Sequence, residues 1–493
     1  MTTSEEEAAS PLAALLGDAA GRAACYRDAC YRDTGDVLPV FPGAGALDKL
    51  RAGLGRLRDE PAPPGTVIAE LADAVEPALV ASTGPRYFGF VTGGALDSAT
   101  AADMLAAAWD QNAFNTLTSP AAAITEEVAG EWLKDVLGLP PGASFAFTTG
   151  TQAASTVCLA AARHQVLADA GWDVERDGLT GAPRVRVVAG AFRHVTIDRS
   201  LRLLGLGANV IEPVPAGADG AIDVAALARV LADGPAAPTI VCLQAGEVNS
   251  GAFDDFPAAI AAVREHGAVR KHGAVRKHGA GTWVHVDGAF GLWAAANPGT
   301  RSLVSGVTGA DSWATDGHKW LNVPYDSGYA FCARPDAHKA AMAFTAAYLG
   351  DPSPGLHSPG DWGLESARRA RGFATWAALR ELGRDGVAAL AGRCCAHARR
   401  FASLLAAAEG VRIVNDVVLN QVLVRFGEDD HITERTMAAV QDSGVCWMGG
   451  TTWRGLRLMR ISVSSARTTE ADVDRSVEVI LAAFRAAAGR SAG

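Results

Sequence analysis

The stretch Trp283-Val-His-Val-Asp-Gly-Ala-Phe290 is an apolar run that ends in an aspartate and a glycine turn. Short runs of β-branched and aromatic residues are typical of buried strands. Asp287 stands at the point where this strand is predicted to end. A buried carboxylate is costly unless it has a partner, so Asp287 either caps a helix or faces a cation. The stretch therefore predicts a strand with a carboxylate at its carboxyl end.

Similar runs recur along the chain and alternate with alanine-rich helical stretches. The predicted strands are 144–148, 185–188, 239–243, 283–287, 312–315 and 329–333. Helices are predicted between most of them, for example at 151–168 and 256–265. This alternation predicts an α/β fold with a mainly parallel sheet covered by helices on both faces. Ligands of such sheets bind beyond the carboxyl ends of the strands.

The chain is long enough for more than one domain. Residues 1–85 are predicted to form an N-terminal helical arm, broken by the proline-rich stretch 61–64. Residues 86–367 are predicted to form a large domain that contains the sheet. Residues 368–493 are predicted to form a smaller α+β C-terminal domain, which opens with a long helical stretch at 368–409. Its predicted strands lie near 419–426 and 456–463, and its further helices near 433–443 and 470–488.

Composition argues against several classes of function. Charged residues make up 20% of the chain and the net charge is −10, whereas nucleic-acid-binding proteins concentrate Lys and Arg. The N-terminus lacks the basic and apolar regions of a signal peptide, and no apolar run is long enough to predict a membrane span. The eight cysteines show no paired framework and no Cys-x-x-Cys, so we predict neither disulfides nor a metal site. A reducing cytoplasm fits this pattern.

A short repeat begins at His266, where HGAVRK occurs twice in tandem and is followed by HGAG. Its three histidines could suggest a metal-binding tract. However, a spacing of six residues does not place them on one face of a helix. We therefore interpret segment 266–279 as a duplicated insertion in a solvated helix end or loop.

The segment Asp316-Gly-His-Lys-Trp320 directly follows a predicted strand. A lysine at the end of a strand can be desolvated, which favours loss of its proton and formation of a Schiff base. Taken alone, a His-Lys pair is more often part of a solvated surface. Lys319 therefore becomes a candidate only together with the other segments.

Phe147-Thr-Thr-Gly-Thr-Gln-Ala-Ala-Ser155 is predicted to pass from a strand through a turn into a helix. The N–H groups at the helix start and the Thr151 hydroxyl suit a phosphate dianion, although the segment is equally a good helix cap. It matches neither nucleotide-binding glycine motif, GxxxxGK[ST] or GxGxxG. His194 also follows a strand and opens a helix. It is a cap, a core histidine, or a side chain that stacks on an aromatic cofactor.

In this order, the four segments resemble the group II pyridoxal-phosphate decarboxylases, the family of aromatic-L-amino-acid and glutamate decarboxylases. The resemblance runs from about residue 85 to residue 371, and more loosely to the C-terminus. Its strongest matches are HVDGAFG, DGHKWLNVPYDSG and LQAGEVNSGAFDDF. It implies the fold type I architecture of aspartate aminotransferase, pyridoxal 5′-phosphate as cofactor, and a homodimer with the active site at the subunit interface.

The resemblance also implies roles for the residues around the cofactor. Lys319 corresponds to the Schiff-base lysine, with His318 as its neighbour. Asp287 corresponds to the partner of the pyridine nitrogen. His194 corresponds to the histidine that stacks on one face of the ring, and Ala289 to the small residue against the other face. The residues that fall in the phosphate loop are Gly150, Thr151 and Gln152.

Around the substrate, Tyr348 falls where the family has its catalytic-loop tyrosine. Arg368, in Ala-Arg-Arg-Ala-Arg371, falls where the family's Gly-Arg-Arg-Phe-Arg meets the substrate carboxylate. In isolation we would interpret Tyr348 as a packing residue and Arg368 as a solvated charge. The residues that match segments lining the family's substrate pocket are Phe90, Thr92 and Phe114.

The chain departs from the family pattern near the cofactor. Glu247 stands where relatives that act on aromatic amino acids have a threonine, and Asp316 and Gly317 replace a frequent Asn-Pro. These departures put the identity of the substrate in doubt but not the cofactor. Segment 448–454 is expected near the pocket or the dimer seam, with no assigned role.

The resemblance implies decarboxylation of an L-amino acid, or of an amino-acid conjugate, to the amine and carbon dioxide. Arg368 would orient the carboxylate and Tyr348 would return a proton to Cα. One alternative is an aldehyde synthase, which couples decarboxylation to oxidative deamination. In this family that activity accompanies loss of the loop tyrosine, so Tyr348 favours the amine. Aminotransferase or aldolase activity, or a non-catalytic interaction module, are the remaining alternatives.

Overall fold

The structure is a computed structural model that describes residues 10–31, 38–43, 45–272, 281–344 and 357–489, with the side chains of 268–272 left out. Tyr348 and residues 273–279 of the HGAVRK segment lie outside these residues. Within the described part of the chain, no helix is long and apolar enough to cross a membrane.

The described helices are α1 (Pro11–Tyr31), α2 (Ala46–Leu54), α3 (Pro64–Val75), α4 (Asp97–Trp109), α5 (Pro120–Val136), α6 (Thr151–Asp169), α7 (Val174–Asp177), α8 (Val195–Leu203), α9 (Val224–Asp233), α10 (Phe256–His272), α11 (Pro335–Met342), α12 (Gly372–Ala406), α13 (Asp430–Asp442) and α14 (Glu470–Gly489). The described strands are β1 (Ser144–Thr148), β2 (Arg186–Gly190), β3 (Ile211–Val214), β4 (Thr239–Gln244), β5 (Thr282–Asp287), β6 (Ser312–Asp316), β7 (Gly328–Cys332), β8 (Val411–Ile413), β9 (Gln421–Phe426), β10 (Gly449–Trp453) and β11 (Leu456–Ser462).

The first sheet has the strand order β1-β7-β6-β5-β4-β2-β3. Strands β6, β5, β4, β2 and β3 are parallel, while β7 is antiparallel to both of its neighbours. The central strands are buried almost throughout, as expected where helices cover both faces of a sheet. The predicted α/β fold with a mainly parallel sheet is confirmed, and each of its six predicted strands is present within two residues at either end.

The second sheet, β10-β11-β9-β8, is antiparallel and packs with α12, α13 and α14. The predicted strands near 419–426 and 456–463 and the two predicted helices are present here. The sequence did not predict β3, β8 or β10. It also predicted one unbroken helix where α12 is kinked at Gly383, whose φ of 59° and ψ of −178° are not helical. The three-part division at residues 85 and 367 stays a prediction.

The parallel strands bring three polar chain positions to one edge of the first sheet. Gln244 and Asp287 are paired at the ends of β4 and β5, and Asp316 ends β6 beside them. The start of α6 reaches the same edge, where Gly328 lies so close that a Cβ on it would come within 2.4 Å of the Gly150 Cα. Two glycines therefore allow the α6 N-terminus to approach the carboxylates.

Candidate active site

Asp316 is the centre of a buried charge cluster at this edge. Its carboxylate lies 3.0 Å from the Lys319 Nζ and 3.4 Å from the His318 Nε2, and it accepts the Thr151 N–H at 2.6 Å. Burial by itself would raise the pKa of Asp316, but Lys319, His318 and the hydrogen bonds outweigh it and lower that pKa. Asp316 therefore carries a negative charge that holds the lysine ammonium at the start of α6.

The start of α6 has no cap from its own N-cap residue, although Asp316 accepts the Thr151 N–H there. Gly150 is the N-cap residue and makes no side-chain cap. The Thr151 hydroxyl is buried and has no hydrogen-bond partner among the described residues. Gln152 bonds through its side-chain amide to Thr156 within the helix, at 3.3 Å. The Thr151 hydroxyl and the helix N-terminus together suit an anionic group.

Asp287 is buried next to this cluster. Its Oδ1 accepts the Ala289 N–H at 3.2 Å, and the Ala289 carbonyl accepts the Asp316 N–H at 3.0 Å. Burial raises the pKa of Asp287, while His194 and Lys319 nearby oppose that rise. A cation placed against Asp287 would therefore stabilise its charged form.

His194 is the N-cap of α8 and is half-buried. Its Nδ1 lies 2.8 Å from the Thr196 Oγ1, and it also accepts the Thr196 N–H at 3.4 Å. Burial lowers the pKa of His194, partly offset by Asp287. Both interpretations made from the sequence, a cap and a residue near the cofactor, are thus compatible with its position.

Arg368 is occupied by an ion pair in the structure. Its two terminal nitrogens donate to the two carboxylate oxygens of Glu126, both at 2.7 Å, and both side chains are at most 2% exposed. Burial would lower the pKa of Arg368, but Glu126 outweighs it and raises that pKa. The role of Arg368 towards a substrate carboxylate stays a prediction. To bind that carboxylate, Arg368 would have to leave Glu126 or contact both carboxylates at once.

The residues predicted to line the substrate pocket lie in aromatic surroundings. Phe90 is exposed and stacks on Trp447 with ring centroids 5.4 Å apart, and Phe114 stacks on Phe344 at 6.1 Å. Thr92 lies near Tyr325 and opposes the rise that burial causes in the pKa of that phenol. Phe90 has a positive φ of 55°, which is unusual for a non-glycine residue and is often found at functional sites.

Sequence reasoning missed two aromatic side chains and one cation here. Tyr325 stacks on His318 with centroids 4.1 Å apart, and Trp447 stacks on Tyr87 at 5.1 Å. Arg460 lies close enough to His194 to help lower the pKa of that histidine. Tyr325 belongs to the quoted DGHKWLNVPYDSG motif, so its signal was available. Trp447 lies just before β10 and Arg460 lies in β11, and no local pattern connects them with Lys319.

The Glu247 side chain, which departs from the family pattern, stabilises the loop that follows β4. Its carboxylate accepts the N–H groups of Asn249 and Ser250 at 2.8 and 2.7 Å and the Asn249 side-chain amide at 2.8 Å. The side chain therefore folds the loop after β4 into a tight turn. Burial raises the pKa of Glu247, and these hydrogen bonds oppose the rise.

These residues fit the cofactor that the family resemblance implies. The unpartnered Thr151 hydroxyl and the α6 N-terminus suit its phosphate, and the buried Asp287 suits a protonated pyridine nitrogen. Lys319 is the nearby amine that a Schiff base requires. No group of three or more His, Cys, Asp or Glu side chains in the described ranges could hold a metal ion.

Comparisons with known proteins agree with this geometry. Residues 55–426 match the model of the pyridoxal-dependent decarboxylase conserved domain. Tryptophan decarboxylase 1 of Oryza sativa subsp. japonica is 28% identical over 90% of this chain and 89% of its own length. Phenylacetaldehyde synthase of a Rosa hybrid cultivar is 22% identical over 85% of this chain and 84% of its own. The crystal structure of Oryza sativa TDC with PLP and tryptamine superposes with a TM-score of 0.86, covering 98% and 99% of the two chains at 24% identity.

The Asp316–Lys319 pair gives a test that needs no substrate. In a double-mutant cycle of Asp316→Asn and Lys319→Met, measured by urea unfolding of the cofactor-free chain, we expect a coupling free energy of about 1–3 kcal/mol. Each single variant leaves a buried charge unpaired, whereas the double variant leaves none. The control cycle uses the exposed pair Arg475 and Glu478, which are 3.2 Å apart. A coupling no larger than that of this exposed pair would contradict the proposed cluster.

Proposed function

This chain belongs to the pyridoxal-dependent decarboxylase family, and we propose that it converts an L-amino acid to its amine and carbon dioxide. It is a carboxy-lyase dependent on pyridoxal 5′-phosphate. The observation that carries the proposal is the group formed at one sheet edge by the buried Asp316 and Asp287 with the partly buried Lys319 and His194. We further propose cytoplasmic action on a free amino acid or conjugate.

The bound cofactor supplies an electron sink for the pair left at Cα when carbon dioxide departs. In our proposal, Lys319 binds the cofactor covalently and Asp316 holds the lysine ammonium when the amine is free. Asp287 would keep the pyridine nitrogen protonated, His194 and Ala289 would lie against the ring, and the start of α6 would bind the phosphate. The amine product then requires a proton at Cα, for which Tyr348 is the proposed donor.

The relatives leave the identity of the product open, because they include both an amine-forming decarboxylase and an aldehyde synthase. The presence of Tyr348 supports the amine. Tyr325 is a second phenol, stacked on the neighbour of Lys319, and provides an internal comparison. The aromatic side chains of Phe90 and Trp447 support an aromatic substrate side chain, stacked as such rings prefer.

The product test measures carbon dioxide, amine, aldehyde and oxygen uptake for a panel of L-amino acids, starting with the aromatic ones. We expect amine and carbon dioxide in equal amounts with no oxygen uptake. Tyr348→Phe should slow amine formation about 10²–10⁴-fold, because it removes a general acid, and relatively more aldehyde should form. Lys319→Ala should lose both the reducible chromophore and turnover.

Two outcomes would redirect this proposal. Stoichiometric oxygen uptake by the wild type would assign the chain to the aldehyde synthases. A change in product caused by Tyr325→Phe but not by Tyr348→Phe would move the proton donor to Tyr325.

The substrate carboxylate needs a cation, and the structure offers two candidates. Arg368 is neutralised by Glu126, whereas Arg460 is partly buried near His194 and has Glu247 as its nearby acidic charge. Glu247 is held by three hydrogen bonds within its own loop. We therefore favour Arg460 as the group that binds the carboxylate, with Arg368 as a buried structural cation.

Matched substitutions separate the two arginines. Arg460→Gln should weaken binding of the amino acid by about 10–100-fold, the loss of one charge-assisted contact, and leave binding of the amine product nearly unchanged. Arg368→Gln should instead destabilise the fold by about 3–5 kcal/mol in urea unfolding, because it leaves Glu126 buried without its partner. A stable Arg368→Gln variant with selectively weakened amino-acid binding would restore the role predicted from the sequence.

We also propose a homodimer, supported by exposed apolar side chains on the N-terminal helices and on α4 and α5. Such clusters mark surfaces that another chain covers. The exposed residues are Leu12, Leu16, Leu47, Leu54, Val67, Leu71, Met104, Leu105, Trp109, Ile124 and Val128.

Light scattering at assay concentration should give the mass of two chains. The double variant Met104→Glu/Leu105→Glu should give one chain, because it places two charges on the surface that the second copy would bury. Val418→Glu, at an exposed apolar position of the C-terminal domain, serves as control and should remain dimeric. A wild type that is monomeric and fully active would contradict the proposed assembly.

A further inference from the structure

The hairpin of β10 and β11 turns through Arg454 and Gly455, both with positive φ, at 49° and 81°. Two consecutive positive φ values are typical of the two-residue turns that join antiparallel strands tightly. Trp453 pairs with Leu456, Thr451 with Leu458 and Gly449 with Arg460. Side chains of directly paired residues lie on the same face of a sheet, so Thr451, Trp453 and Arg460 share one face.

That shared face contacts the turn between β2 and α8. The Trp453 ring lies 4.4 Å from the Phe192 ring, centroid to centroid, and the Arg454 guanidinium lies 5.3 Å from Phe192 and 5.6 Å from Trp453. Arg454 also donates to the Gly217 carbonyl of a neighbouring turn. A Cβ on Gly220 would lie 2.6 Å from the Trp453 ring, so the glycine leaves room for the indole. Phe192 is two residues before His194.

The same face also contacts the loop after β4. The Thr451 hydroxyl donates to the Asn249 side-chain oxygen at 2.8 Å, and Arg460 donates to the Val248 carbonyl at 3.3 Å. Asn249 is the residue whose amide groups bind Glu247. The conformation that Glu247 imposes on its loop is therefore the one that the hairpin contacts.

We propose that the β10–β11 hairpin positions the cofactor site, with Trp453 holding the turn that carries His194 and Thr451 holding the loop folded by Glu247. Trp453 and Thr451 are positioning residues, because each acts through Phe192 or Asn249 rather than on the substrate. Segment 448–454 and Glu247, which stands where relatives that act on aromatic amino acids have a threonine, would then support the same site through one set of contacts. The inference rests on the proposed role of His194, and its test separates the two.

The test measures how fast diethyl pyrocarbonate modifies His194 in the full chain, by peptide mass spectrometry, with and without pyridoxal 5′-phosphate. His431, whose side chain is 76% exposed, serves as the internal reference. In the cofactor-free chain, Trp453→Ala should raise the rate at His194 about two- to tenfold relative to His431, the effect of losing one aromatic pair. Trp453→Phe, which keeps a ring against Phe192, should restore the wild-type rate.

Arg457→Ala is the matched control on the same hairpin. Arg457 pairs with Thr452, lies on the opposite face and contacts Glu434 of α13 at 3.5 Å. The Arg457→Ala variant should leave the rate at which His194 is modified within about twofold of the wild-type rate, since one surface contact contributes little. If Arg457→Ala raised the rate as much as Trp453→Ala, a general loosening of the hairpin would replace the proposal.

Thr451→Val is a milder variant that keeps side-chain volume and removes the hydroxyl. Hydrogen exchange of a peptide covering 246–251 should become faster in this variant, while exchange in β1 stays unchanged. Unchanged modification of His194 in a folded Trp453→Ala, or unchanged exchange at 246–251 in Thr451→Val, would overturn the proposal. If the cofactor does not protect His194 in the wild type, the role of His194 fails instead, whatever the hairpin variants show.

Discussion

Asp287 and Asp316 are buried at one edge of a parallel sheet with the partly buried Lys319 beside them, and the need to balance these charges constrains the residues around them. The strand order places β5 beside β6, so two carboxylates end on the same edge. Burying a charge costs several kcal/mol, on the order of a whole domain's net stability, unless a partner is supplied. Asp316 has the Lys319 ammonium and the Thr151 N–H. Asp287 has no ion-pair partner within the described part of the chain, and the protonated ring of the cofactor would supply one.

Six strands of the first sheet could be predicted because each is a compact β-branched or aromatic run bounded by turns. The run Ile211–Val214 was missed since it is short and contains a proline, and β10 was missed since glycines and threonines dominate it. Gly383 breaks α12 through a backbone conformation that no periodicity indicates. A local pattern therefore predicts a strand when burial requires a run of apolar residues in it. It fails when the strand exists mainly because it pairs with another part of the chain.

The candidate site likewise contains residues that a local sequence pattern indicates and residues that only the folded chain brings together. Asp287 ends a predicted strand and Lys319 and His194 each follow one, so motif and sheet geometry together predicted that they meet at one edge. The partner of Arg368, in contrast, is Glu126, 242 positions away in the sequence, and only the folded chain reveals that its charge is already neutralised. The contacts of Trp453 and Arg460 likewise join the two sheets across more than 200 residues. Such pairings leave no periodic signal in either segment.

The balance of charge also explains why the two arginines are not equivalent. Arg368 and Glu126 are both fully buried, and their bidentate pair adds almost no net charge to its surroundings. Glu247 accepts three hydrogen bonds in its own loop, but burial still raises its pKa and so favours its neutral form. An arginine remains protonated even where burial lowers its pKa, as it does for Arg460. The hydrogen bonds in its own loop occupy the Glu247 carboxylate, whereas Glu126 pairs with both terminal nitrogens of Arg368, so Arg460 is the less compensated of the two cations and an incoming carboxylate would balance its charge.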